Sequence, residues 1–122
     1  RGLAGVSTNT AVGASALTTN TTGNLNTALG FEALKLNTSG AENVAVGYRA
    51  LDANTIGTNN IAMGRNALGA NISGSANVAV GDGALVTNTT ADSNSAFGSD
   101  ALSTNLSCGY WSFCPPSQHH GI

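Results

Sequence analysis

Small and apolar residues recur along this chain at a fixed spacing of seventeen. From Asn9 the same start returns at Asn26, Asn43, Asn60, Asn77 and Asn94 without insertion, reading NTAVG, NTALG, NVAVG, NIAMG, NVAVG and NSAFG. With each unit numbered from its asparagine, positions 1, 3, 5, 8, 9 and 12 are Asn, Ala, Gly, Ala, Leu and Asn in all six copies. Position 4 is always apolar (Val12, Leu29, Val46, Met63, Val80, Phe97), and position 15 is Gly23, Gly40, Gly57 and Gly74, then Ala91. A helix-turn-helix unit needs about 33 residues, so the period is too short for one. Repeated Asn, Gly, Thr and Ser also disfavour helix. Positions 1 to 5 alternate as a strand does, with positions 2 and 4 on one face and the alanine at 3 on the other. Asn-Thr-x-Gly at positions 12 to 15 predicts a turn, with the asparagine in the left-handed region and the glycine at positive φ. Each unit is therefore expected to make one coil: a short strand, a turn, a second extended piece around Ala-Leu, and another turn.

The predicted fold is an all-β parallel β-solenoid of six 17-residue coils over residues 9–107, preceded by a cap or lead-in at 1–8 and followed by a non-repeat cap or tip at 108–122. At about 4.8 Å between neighbouring strands, six coils make a rod of about 29 Å. Stacking places each position over its own copy. Leu17, Leu34, Leu51, Leu68, Leu85 and Leu102 become one ladder and position 4 becomes an apolar ladder, both expected to fill a narrow core. Asn20, Asn37, Asn54, Asn71, Asn88 and Asn105 become an amide ladder, each expected to donate to the next coil and accept from the previous one. The small residues at 3, 5 and 8 form a row that another backbone can approach closely, either the opposite wall of the coil or a neighbouring chain.

Composition narrows the function. Only 8% of residues are charged, the net charge is -2, and four Lys and Arg cannot neutralise a phosphate backbone, so nucleic-acid binding is not expected. No apolar run of about 18 residues exists to cross a membrane, and no charged-then-apolar leader opens the chain. Most charge falls at positions 6 and 7, where in-register stacking sets Glu32 beside Arg49 and Arg65 beside Asp82. Phe31, Tyr48 and Arg65 would stack into a short patch with a cation–π contact, which fits either a sugar-gripping site or a solvated stabilising ladder. Asn20, Asn37, Asn71, Asn88 and Asn105 each open an Asn-x-Ser/Thr sequon, consistent with a row of glycans or with hydroxyl residues merely following a structural asparagine. Rows of threonine at positions 13 and 14 (Thr21, Thr38, Thr55 and Thr89, with Thr22, Ser39, Ser73 and Thr90) suggest an ice-ordering face, interrupted by Ile56, Ile72 and Leu106.

The tail CGYWSFCPPSQHHGI breaks the period and holds both cysteines, both prolines, both histidines and three of the six aromatics. The open end of a solenoid needs covering. Tyr110, Trp111 and Phe113 folded over the last coil and held by a Cys108–Cys114 disulfide would do so, in keeping with an oxidising compartment. Zinc held by Cys108, Cys114, His119 and His120 is an alternative reading, as is a receptor-binding tip at Tyr110 and Trp111. The acids are scattered and histidine is confined to the tail, so no catalytic constellation, cofactor site or phosphate loop is expected and the chain reads as non-enzymatic.

The Asn-[Val/Ile]-Ala-[Val/Met]-Gly motif at Asn43–Gly47, Asn60–Gly64 and Asn77–Gly81 resembles the head repeats of YadA-like trimeric autotransporter adhesins, and is similar to repeats of phage and viral tail fibres. The resemblance implies a left-handed parallel β-roll with three chains side by side, at the outer end of a surface fibre that binds host matrix or cells. It also implies that positions 2 and 4 fill each coil and that Gly at 5 turns it. The unit here is longer by the Ala-Leu-x-x-Asn-Thr-x-Gly segment. The expected function is thus an extracellular adhesive or fibre-forming module on a cell or virion surface. Its partners would be further copies of itself, as a homotrimer, and a host protein or glycan. The alternatives are a filament subunit stacking end to end and an ice-binding solenoid.

Overall fold

The computed structural model describes residues 8–104, which hold five complete coils and the first part of a sixth. Six three-residue strands fall at positions 2 to 4 of successive units: β1 (Thr10–Val12), β2 (Thr27–Leu29), β3 (Val44–Val46), β4 (Ile61–Met63), β5 (Val78–Val80) and β6 (Ser95–Phe97). They lie in chain order in one parallel sheet, each paired with its copy one period on, as Ala28 is with Ala45 and Ala45 with Ala62. The protein is an all-β parallel solenoid whose period is the sequence period.

The strand faces are the reverse of the expectation. The alanines at position 3 point inward: Ala28, Ala45, Ala62 and Ala79 are fully buried, in one cluster with the alanines at 8 and the leucines at 9. Positions 2 and 4 point outward, leaving Val12, Leu29, Ile61, Met63 and Phe97 exposed and Val44, Val46, Val78 and Val80 half-buried. The interior explains this. Each coil already encloses one leucine and two asparagine side chains, so the strand can turn only a methyl group inward.

The expected second extended piece is instead a pair of tight turns around the leucine. In the third coil Ala50 N–H donates to the Gly47 carbonyl and Asn54 N–H to the Leu51 carbonyl, both at 3.2 Å. Between them Arg49 and Leu51 stand at φ of 57° and 52°, and every other coil repeats this at positions 7 and 9. A leucine in the left-handed region costs about 1–2 kcal/mol. Its burial returns about 1.5–3 kcal/mol, and Leu51 N–H gains the Ala67 carbonyl of the next coil at 3.0 Å.

Positive φ therefore lies at positions 5, 7, 9 and 17, and not at the asparagine and glycine of Asn-Thr-x-Gly. In the first four coils glycine is required at 15 by space. A Cβ on Gly57 would stand 2.4 Å from the Gly74 carbonyl oxygen of the next coil and 2.5 Å from Asn54 Oδ1. That segment closes the coil by wrapping a carbonyl: Thr38, Ser39 and Gly40 all donate N–H to the Thr55 carbonyl, at 3.0, 3.2 and 3.1 Å.

Two asparagine columns run through the interior. At position 12, Asn54 Nδ2 donates to Asn37 Oδ1 at 2.8 Å and Asn71 Nδ2 to Asn54 Oδ1 at 2.8 Å, so donation runs toward the previous coil, opposite to the expected sense. At position 1, Asn60 donates to Asn43 Oδ1 through both its main-chain N–H, at 2.9 Å, and its Nδ2, at 3.1 Å. Both columns also donate to the position-15 carbonyl of their own coil. With the exception of Asn94 Oδ1 in the sixth coil, the amides of both columns are thus satisfied, which makes their burial tolerable.

Candidate functional site

The most distinctive surface is the outer face of the sheet. Position 4 builds a continuous row along the rod, Val12, Leu29, Val46, Met63, Val80 and Phe97, and position 2 adds Val44, Ile61 and Val78 in the middle of the sheet. The row is most exposed at its ends, with Val12 at 57% and Phe97 at 66% of full exposure. A flat strip of β-branched and long apolar side chains one strand spacing apart is a surface that water solvates poorly. The residues that the resemblance assigned to the core therefore form the exposed face.

A second surface is the corner formed by positions 6, 7 and 10. Phe31 and Tyr48 stack with ring centroids 5.4 Å apart and planes within 10° of parallel. The cation over the Tyr48 ring is its neighbour Arg49, at 5.6 Å, in place of the expected Arg65. Arg49 Nε donates to Glu32 Oε1 at 2.8 Å, Lys35 Nζ reaches Glu32 Oε2 at 3.1 Å, and Asp52 lies 3.9 Å from Arg49 Nε. The Arg49 hydrogen bond, followed by that of Lys35, holds the Glu32 carboxyl below its usual range, and the Glu32 bond raises Arg49 in turn. Burial pushes the Asp52 carboxyl up, against the pull of Arg49. Further along the rod Arg65 Nη2 meets Asp82 Oδ2 at 3.0 Å. Both cross-coil ion pairs are thus present where the register puts them. The role of Arg49 was legible from its place beside Tyr48 and one period after Glu32.

The threonine corner is occupied in part by the protein itself. Thr21 Oγ1 donates to the Thr38 carbonyl and Thr38 Oγ1 to the Thr55 carbonyl, both at 3.1 Å, and Thr55 Oγ1 to the Ile72 carbonyl at 3.4 Å. The sequon asparagines point inward. Asn37, Asn71 and Asn88 are buried, each with Nδ2 committed both to the previous asparagine and to a position-15 carbonyl. In the folded chain both N–H groups of these amides are engaged, as the reading of them as structural asparagines requires. Asn20, in the first coil, is half-buried with Nδ2 on the Gly23 carbonyl.

Asn105, Cys108, Tyr110, Trp111, Phe113, Cys114, His119 and His120 lie outside the described residues, and with them the expected disulfide, zinc and tip readings. Among the described residues, no group of three or more His, Cys, Asp or Glu is placed to hold a metal ion, and no helix is long and apolar enough to cross a membrane. No protein-family model matches the chain, and no curated protein or solved structure matches it significantly.

Proposed function

We propose that this chain is a non-enzymatic structural module of an extracellular fibre or adhesin head, a rigid rod that lies side by side with copies of itself along the outer face of the sheet. The observation that supports this is the unbroken apolar row from Val12 to Phe97, which a solitary rod would leave in water. The likeness of the Asn-x-Ala-φ-Gly motif to adhesin head repeats supports the extracellular setting and a three-chain arrangement. In that arrangement the Phe31–Tyr48–Arg49 corner faces outward and is the surface offered to a host protein or glycan.

The test is light scattering on the native particle together with a Met63→Lys variant, which places a charge in the middle of the row. At the lowest concentration measured, a trimer of about 36 kDa, three times 12.0 kDa, that falls to a single chain in the variant is the expected result. A wild-type chain that stays at 12.0 kDa at high concentration overturns the proposal.

A further inference from the structure

Every interior coil makes the same set of bonds to its neighbours, so the two ends of the stack are halves of one interface. In the interior, N–H at position 5 donates to the position-4 carbonyl of the previous coil, as Gly47 does to Leu29 at 2.8 Å. Position 7 donates likewise to position 6, as Arg49 does to Phe31 at 2.8 Å. Position 9 donates the other way, to position 8 of the following coil, as Leu51 does to Ala67 at 3.0 Å. The sixth coil therefore offers the Phe97 and Ser99 carbonyls and the Leu102 N–H, and the first coil offers the Gly13 and Ser15 N–H groups and the Ala16 carbonyl. Among the described residues none of these six groups has its ladder partner.

A separate observation marks the sixth coil as an interface. Asn94 Oδ1 is the one buried side-chain polar atom without a hydrogen-bond partner among the described residues. In the interior the same oxygen accepts two N–H groups from the asparagine of the following coil, as Asn77 Oδ1 does from Asn94 at 2.9 and 3.2 Å. Leaving such an acceptor unpaired inside a protein costs about 1–3 kcal/mol.

We infer that the sixth coil is a docking end for the first coil of a second copy of this chain, so that rods join head to tail. The register that pairs Gly13 N–H of the second copy with the Phe97 carbonyl also pairs Ser15 N–H with Ser99 and the Ala16 carbonyl with Leu102 N–H. It sets Asn9 of the second copy over Asn94. It brings Val12 against Phe97, joining the two most exposed members of the apolar row. No like charges meet, because Ser99 and Asp100 face Ala14 and Ser15. The contact uses different surfaces on the two partners, so it has no built-in stopping point. It extends the proposed function but does not depend on it, since lateral association uses the sheet face and this contact uses the sheet edge.

The experiment is sedimentation velocity of the full chain over a hundredfold concentration range, with two blocked variants. Ser95→Pro removes an outward N–H of the last strand and fills its edge, while the pairing of β6 with β5 is kept. Met63→Lys blocks the lateral face instead. Mass that rises with concentration without plateau, stops rising in Ser95→Pro and still rises in Met63→Lys is the expected result. Ser15→Asp serves as a second end-block: position 7 already carries Asp100 on the same left-handed backbone, and in the stacked register the new carboxylate would face Asp100 of the other copy. It guards against misfolding of the proline variant. Mass that plateaus at one value in the wild type and in both end-blocked variants overturns the inference.

Discussion

Asn43 and Asn54 donate their side-chain amides to a single oxygen, the carbonyl of Gly57, at 2.8 and 3.1 Å. The two asparagine columns are thus tied together once per coil, at the residue whose missing side chain leaves room for both. Removing either amide unsettles several partners at once.

Asn54→Ala illustrates this. The substitution leaves Asn37 Oδ1 without its donor and Asn71 Nδ2 without its acceptor, both deep in the rod. At about 1–3 kcal/mol for each stranded buried group, a loss of about 3 kcal/mol is expected in urea unfolding. Asn20→Ala, in the first coil and half-exposed, is expected to cost about 1 kcal/mol.

Glycine substitutions should separate by position. Gly57→Ala forces a Cβ to within 2.4 Å of the Gly74 carbonyl and should cost about 3 kcal/mol or prevent stacking altogether. Gly69→Ala should be neutral or stabilise by about 0.5 kcal/mol, because the same position carries Lys35 and Asp52 in neighbouring coils. Thermal unfolding of the two variants side by side is the measurement.

The left-handed residues offer the opposite opportunity. Ala76, exposed at φ 61°, has a backbone that glycine adopts without strain. Ala76→Gly is expected to raise stability by about 0.5–1 kcal/mol, against the usual trend for that change. A fall in unfolding midpoint would contradict the left-handed assignment.

Acid should weaken the charged corner. The folded-state pKa of Glu32 is depressed, chiefly by Arg49, so its stabilising contribution is present above the unfolded value of about 4.3 and is lost as pH falls through the folded one. Asp52 is shifted up by burial, so it acts in the other direction: its folded form favours the proton and it weakens the fold slightly above its unfolded pKa. Glu32→Gln should flatten the decline of unfolding midpoint between pH 5 and pH 3, an interval of about two units centred on the ordinary carboxylate range. Asp52→Asn should raise the midpoint at neutral pH.

Thermal hysteresis is expected to be absent at millimolar protein. The hydroxyl protons of Thr21, Thr38 and Thr55 are directed along the rod to carbonyls of the next coil, and Ile56 and Ile72 interrupt the rows. Ice-crystal growth under a nanolitre osmometer checks this.

The period, the parallel register and the ion pairs were legible because stacking converts sequence spacing directly into spatial neighbourhood, as Glu32 and Arg49 show. Which way the strands face was not. Alternation places Val44 and Val46 opposite Ala45 but carries no sign. The usual sign, with larger apolar residues inside, fails where the interior is only one leucine wide. The turn geometry was also hidden. Asparagine and glycine mark left-handed backbone in most turns, whereas here Leu51 takes that conformation and Asn54 is kept for its amide. The second asparagine column, at position 1, was visible as an invariant residue, but nothing in its spacing distinguished a buried amide from a strand-capping one.

The main-chain hydrogen bonds between coils point both ways along the rod, but in each coil more donate toward the C-terminal end: Thr27, Leu34, Leu36, Thr38, Ser39 and Gly40, against Gly30, Glu32 and Glu42. The asparagine bonds run the other way, since in both columns every side-chain amide that bridges coils donates toward the N-terminal end. The two sets of dipoles oppose each other. The rod is in this sense a compensated polar stack, without the aligned macrodipole of a helix. Parallel rods laid side by side are spared the repulsion of aligned dipoles, and the apolar face is left to set how they associate.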